Sequence, residues 1–423
     1  MKQEIKRTFL MLLDREIRNL PVMIYEPRVP GGKSHIGIVL QHSDDNYFEF
    51  VPALELAARG YTVAVSYFPD PTVSLDRKLM HVGRVTDYLK NYPGVDRIVL
   101  LGHSGGATLM SAYQAVAEKG CGVFQGPEKV IAMEDPGTLQ AADGVMFLDA
   151  NLGNGVMTLL SLDPAVESEE KGVGRNPELD LYSPANGFGA ESCSHSDAFI
   201  RRYVRAQGKR MNELIRYARE RVRAISEGEG NFLDDEPMIV PGGSQIKPYN
   251  KLFPLYPERF FAHTKKKWML LRCDGTREER IVPCLRTAFM GQDKTDCYLA
   301  STLTTTVKTF LSSAAVCVNE DFGYDESGIY GVNWDSSYCT GPGNAKYISA
   351  PMLLMGMTGS YEYIAAEQIY ERAVEAKDKT LVFVEGAGHN FTPAEEAEKC
   401  PGEFGDTAAR CFDFVDEWLT KRF

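Results

Sequence analysis

Short apolar runs recur at both ends of this chain, and they constrain its fold more than any other feature. They span residues 35–40, 61–68, 98–101, 144–148, 351–355 and 379–384. Each is too short for a helix core and is rich in residues that suit a strand buried on both faces. Between them lie segments with helical spacing. Residues 48–58 stop at Gly60, and residues 75–90 set Leu79, Val82, Val85 and Leu89 on one face. Further helices are expected over 106–119, 365–376 and 407–421, the last with Asp406 as its N-cap. Strand alternating with helix predicts an α/β protein with a mostly parallel sheet and helices on both faces. Two further strands are expected at 6–13 and 20–25.

The alternation is lost over residues 152–346. This stretch reads as an inserted cap or lid domain between a first core part, 1–151, and a second, 347–423. It holds one long charged helix over 197–227. A hairpin is expected over 268–282, with Asp274-Gly275 as a two-residue turn. Aromatic residues are dense nearby: Tyr249, Phe253, Tyr256, Phe260, Phe261 and Trp268.

The run 98–101 ends in Gly102-His103-Ser104-Gly105-Gly106. A plain turn needs one glycine. Three around one serine suit a sharp strand-to-helix turn that raises a nucleophile, where the neighbouring positions have no room for a Cβ. A serine hydroxyl needs an adjacent base. Among seven histidines, His389 lies in a glycine loop, Glu385-Gly-Ala-Gly-His389, just past the last expected strand. The imidazole in turn needs a carboxylate. Glu362, the only carboxylate in the loop after 351–355, is preferred, and Asp149 at the end of run 144–148 is the alternative. The oxyanion needs fixed donors: the N–H of Gly105, and that of Ser43 or Asp44 in the loop after 35–40. His42 and His103 are the candidate substrate-binding side chains.

The net charge of −12 and the pI near 5.2 argue against the basic face that nucleic acid or an anionic membrane would need. No stretch reaches about 18 apolar residues, so no membrane insertion is expected. The first twenty residues hold only a five-residue apolar run, Phe9 to Leu13, too short for a signal-peptide core. The nine cysteines are odd in number and scattered, which suits reduced thiols in a cytoplasmic protein. There is no H-E-x-x-H and no compact histidine–carboxylate spacing, so no metal is expected.

On Gly102-His103-Ser104-Gly105-Gly106 and Gly386-Ala387-Gly388-His389, the chain resembles the α/β-hydrolase superfamily. The resemblance covers about 1–150 and 347–423. It implies a mostly parallel eight-stranded sheet, a cap inserted after the sixth strand, no cofactor, and hydrolysis through an acyl-enzyme. It departs from the family twice. The usual His-Gly of the oxyanion loop is His42-Ser43-Asp44-Asp45, and the usual aspartate after the seventh strand is replaced at best by Glu362. The expectation is a serine esterase or lactonase for a mostly apolar or aromatic small molecule. The alternatives are the same triad used for amide or C–C bond hydrolysis or acyl transfer, and a non-catalytic ligand-binding protein on a hydrolase scaffold. A homo-oligomer is left open.

Overall fold

The computed structural model describes residues 3–14, 18–68, 73–169, 174–189, 192–244, 251–288 and 302–423. The expected strands form as β1 (Ile5–Asp14), β2 (Arg18–Pro27), β3 (Ile36–Gln41), β4 (Thr62–Ser66), β5 (Arg97–Ser104) and β6 (Gly144–Ala150). Helices α1 (Val51–Ala58), α2 (Leu75–Lys90) and α3 (Gly105–Lys119) alternate with them, and α4 (Asn154–Ser161) follows β6. The long charged helix is α5 (Asp197–Ser226), capped where the Ser196 side chain accepts from Phe199 N–H. Within the insertion, β7 (Pro237–Val240) pairs with β10 (Leu303–Thr306), and β11 (Val318–Asp325) with β12 (Gly328–Val332). β8 (His263–Leu271) and β9 (Arg277–Pro283) form the expected hairpin. β13 (Met352–Met357) and β14 (Lys379–Val384) complete the set, with helices Ile364–Arg372 and Thr407–Arg422 after them. Asp406 caps the closing helix, accepting from Ala409 N–H.

The main sheet has ten strands in the order β1-β2-β4-β3-β5-β6-β13-β14-β8-β9. Pairings from β4 to β8 are parallel, while β1/β2, β2/β4 and β8/β9 are antiparallel. The count corrects the expected eight. The two extra strands come from the insertion, whose hairpin adds to the β14 edge and so covers backbone groups that would otherwise be unpaired. The hairpin's turn also differs from expectation. Arg272 N–H donates to Thr276 O, leaving Cys273, Asp274 and Gly275 as the loop, with Gly275 at φ 83°. A three-residue loop of this kind needs a positive φ at its last position, which glycine adopts without strain.

Alternation along β5 divides the core. Ile98 and Leu100 face α2 and α3, in a cluster with Leu79, Val82, Val85, Leu89, Leu109 and Tyr113. Val99 and Leu101 face α1 and the closing helix, with Leu56, Val415 and Leu419. The first cluster runs on into the insertion, where it takes in Met211, Phe253, Phe261 and Phe310. The insertion therefore shares a sheet and a core with the flanking parts. Its aromatic residues Phe253, Phe260 and Phe261 are buried, each ring against Tyr324, with Phe253 also against Phe261. Trp268 lies elsewhere, its indole N–H on Glu367 and its ring against Tyr370. Tyr249 falls outside the described residues. Cys121, Cys273, Cys284, Cys317, Cys339, Cys400 and Cys411 are thiols outside any disulfide. Among the described residues, no helix is long and apolar enough to cross a membrane.

Candidate active site

β5 runs straight into α3 with Ser104 at the joint, at φ 51° and ψ −127°. A non-glycine residue rarely adopts this backbone. The glycines explain how the chain reaches it. A Cβ on Gly102 would sit 2.5 Å from Ala107 Cα, one on Gly106 would sit 2.6 Å from Gln41 O, and one on Gly105 would strike Ser43 Oγ. The turn closes only because those three positions carry no side chain.

Asp149, at the end of β6, has φ 44°, and Phe391, two residues past His389, has φ 67°. Three of the four described non-glycine residues with positive φ thus lie in or beside one site. Such strain persists only where the surroundings hold it, and it gathers at functional sites.

The loop after β14 brings His389 back over the ends of the strands. Gly386 N–H donates to Thr358 Oγ1, and Gly388 N–H donates to Thr392 O. His389 Nδ1 lies 2.7 Å from Asp149 Oδ2, and Asp149 Oδ1 accepts from Met357 N–H at 2.8 Å. Asp149 is fully buried. Glu362, also buried, lies on the opposite edge of the ring, with Oε2 3.7 Å from Nε2. Ser104 Oγ donates to this same Oε2 at 3.2 Å.

The preferred assignment of Glu362 as the residue orienting His389 is therefore corrected. Asp149 holds Nδ1, and Glu362 stands on the Ser104 side of the ring. The reason is lateral: β6 and β13 are adjacent in the sheet, so a carboxylate at the end of either reaches the same imidazole. Asp149, Glu362 and His389 also form a group compact enough to hold a cation. Asp149 meets Nδ1 at hydrogen-bond distance, while Glu362 faces Nε2 across the longer 3.7 Å.

Burial opposes charge on His389, but Glu362 and Asp149 outweigh it and raise its pKa to about 9. Burial pushes the Glu362 carboxyl above its ordinary value, and the positive charge on His389 offsets only part of that. A histidine with a raised folded pKa stabilises the fold fully below its unfolded value near 6.5, and that stabilisation is lost as pH climbs through about 9. Denaturant midpoints measured between pH 6.5 and 9.5 should therefore fall more steeply for the wild type than for His389→Gln. Equal slopes would refute the ion cluster.

His103 does not line the site. It is fully buried, its Nδ1 accepting from Tyr47 O–H at 2.8 Å and its Nε2–H donating to His389 O at 2.8 Å. Burial, with the charge on His389, holds its pKa well below the usual histidine value, so it stays neutral. Its place is beneath the His389 loop, as a prop for that backbone.

His42 is buried at the end of β3, and its Nδ1 accepts two backbone N–H groups, from Asp44 at 3.0 Å and Asp45 at 2.9 Å. The Asp44 N–H is thereby committed, which corrects its assignment as an oxyanion donor. The ring proton must sit on Nε2, which lies 3.2 Å from where a Gly105 Cβ would be. Burial keeps this ring neutral, against the pull of Asp44 and Asp45.

The two aspartates of this loop need not oppose an oxyanion. Asp45 points into solvent, its side chain 75% exposed. Asp44 pairs with Lys78 Nζ at 3.0 Å. Burial would raise the Asp44 carboxyl, but Lys78 and the Ser43 hydroxyl hold it below its ordinary value. Lys78 is 2% exposed and also donates to Ser43 O at 2.6 Å. Asn154, at the start of α4, donates from Nδ2 to Ser43 Oγ at 3.1 Å.

Sequence reasoning missed both Lys78 and Asn154. The available signal for Lys78 was its place on the apolar stripe of α2, between Leu75 and Val82. Lys78→Met should cost about 1–3 kcal/mol of stability, since it strips a buried carbonyl and a half-buried carboxylate of their partner. Urea denaturation measures this directly, and a neutral result would mean the lysine is dispensable.

By its strand order and its strained serine between β5 and α3, the fold is of the α/β-hydrolase type. No family model matches the sequence, and no curated protein matches it. Solved structures align along nearly the whole chain. One is a hypothetical protein from Pseudomonas aeruginosa, 13% identical over 99% of this chain and 94% of that one, with TM-score 0.45. Another is the α/β hydrolase GrgF from Penicillium sp. sh18, 11% identical over 99% of each chain, with TM-score 0.44. A third is a bacterial brefeldin A esterase, 12% identical over 100% of this chain and 78% of that one, with TM-score 0.40. Similarity at this level speaks to neither substrate nor reaction.

Proposed function

We propose that this chain is a serine hydrolase that cleaves a carboxylic ester or lactone through an acyl-enzyme. The observation that carries the reading is Ser104, held at positive φ beside the buried cluster of Glu362, His389 and Asp149. Ser104 Oγ attacks the carbonyl carbon, and its proton passes to the base formed by His389 and its carboxylates. The carbonyl oxygen becomes an oxyanion, stabilised by Gly105 N–H and by Ser43 N–H. The N–H on His42 Nε2 faces the same ground. The leaving alcohol departs protonated, and water then repeats the sequence to release the acid.

An apolar or aromatic small molecule is the preferred substrate class. Tyr361, beside Glu362 and 4.9 Å from the Phe253 ring, would offer it an aromatic wall. The chemistry uses side chains and backbone dipoles alone, so no cofactor enters the proposal. A panel of p-nitrophenyl esters of rising acyl length, with the matching anilides, tests it. The proposal requires turnover of at least the short esters, insensitive to chelator. Cleavage of the anilides in preference to the esters would contradict it.

A further inference from the structure

Glu362 has no role in a mechanism that runs from serine to histidine to aspartate, yet its carboxylate accepts the hydrogen bond of the Ser104 hydroxyl. Ser104 Oγ donates to its Oε2 at 3.2 Å, and His389 Nε2 stands 3.7 Å beyond that oxygen. Resting on the serine-hydrolase reading above, we propose that Glu362 Oε2 is the atom that takes the Ser104 proton during acylation. His389 then serves as its positively charged neighbour, fixed from behind by Asp149.

The positions of the other groups favour this role. The raised pKa of His389 keeps it charged at neutral pH, when it has no lone pair to offer the serine. Glu362 is held from its own loop, its N–H donating to Ser360 Oγ at 3.1 Å. The charged and titratable groups acting on it are His389, Asp149, Lys251, Tyr361 and Tyr47. His389 and Lys251 favour the ionised carboxylate, while Asp149 and burial oppose it. A carboxylate so balanced sits above its ordinary value, and a base gains strength as its pKa rises toward the working pH.

Each step balances. As the bond from Ser104 Oγ to the carbonyl carbon forms, the Oγ–H bond breaks and its proton goes to Glu362 Oε2. The carbonyl π pair moves to oxygen. When that oxyanion collapses, the bond from carbon to the alcohol oxygen breaks, and the alkoxide takes the proton back from Glu362. Water loses a proton to Glu362 in deacylation, and Ser104 regains it as the acid leaves. His389 keeps its charge throughout.

The test is pre-steady-state acylation of the full chain by p-nitrophenyl acetate across pH 4 to 10, with fluorophosphonate labelling of Ser104 alongside. The wild-type acylation rate should rise on an acid limb lying above the ordinary glutamate value and stay level through neutrality. Glu362→Gln should slow acylation about 10²–10⁴-fold at every pH, and Glu362→Asp should recover part of the loss. A merely structural Glu362 would leave the acid limb unmoved.

Two results overturn the inference while leaving the hydrolase intact. In one, Glu362→Gln acylates within about threefold of wild type. In the other, the wild-type rate climbs through pH 9 and the glutamine variant moves that limb downward, as a histidine base would require. Because the wild-type profile needs no variant, a misfolded variant would not stop the test. A wild-type protein that neither turns over esters nor labels on Ser104 defeats the serine-hydrolase reading itself.

Discussion

Replacing Ser104 by alanine should remove ester turnover almost entirely, with kcat down about 10⁵- to 10⁶-fold, and should remove covalent labelling with it. The size follows from the mechanism: without Oγ there is no acyl-enzyme, and the remaining groups can only bind and polarise the ester. The protein should stay folded. Ser104 is half-buried, its hydroxyl makes one side-chain hydrogen bond, and alanine meets the same backbone strain at φ 51°. A change in the denaturant midpoint equivalent to more than about 1 kcal/mol would mean that the Ser104–Glu362 contact is structural. Residual turnover near the wild-type rate would mean that another group is the nucleophile.

Asp149→Asn should be the second most damaging change, lowering kcat by about 10⁴-fold. Asparagine keeps the carboxamide oxygen that can accept from Met357 N–H, and it tolerates the positive φ of this position better than most residues. The fold is therefore retained. However, an NH₂ group facing His389 Nδ1 cannot accept the ring's proton, so the imidazolium loses the buried carboxylate that holds it charged and in place. The downfield proton resonance of Nδ1–H should disappear in Asp149→Asn and persist in Glu362→Gln, and kcat measured on the same preparations supplies the rate. The reverse pattern would return the orienting role to Glu362.

The contrast between these two carboxylates also shows where the sequence was legible. Ser104 and His389 could be picked out because glycines surround both, and glycine leaves a mark in sequence wherever the backbone must turn sharply or a neighbour must come close. The choice between Asp149 and Glu362 left no such mark. Both precede His389 in the chain, both follow buried strands, and β6 and β13 are neighbours about 4.8 Å apart. Only the ring's orientation separates them, and that is a tertiary fact.

The parallel strands of the flanking parts were readable because burial on both faces makes their runs apolar throughout, as at β5. The hairpin β8–β9 was readable as a hairpin, but its docking on β14 was not. Lys265, Lys266 and Lys267 give β8 the look of a solvent strand, and its parallel partner lies more than a hundred residues later. Lys78 was hidden for a similar reason. Lysine in a helix reads as solvated, and its partners Ser43 and Asp44 come from a loop some thirty-five residues away.

The most direct test of the central claim is to treat the purified protein with a fluorophosphonate and locate the adduct by peptide mass. The account predicts a single adduct on Ser104, formed by the wild type, absent in Ser104→Ala, and much slowed in Asp149→Asn. A folded wild-type protein that takes no label there while hydrolysing esters, or that is labelled on a different serine, would contradict it.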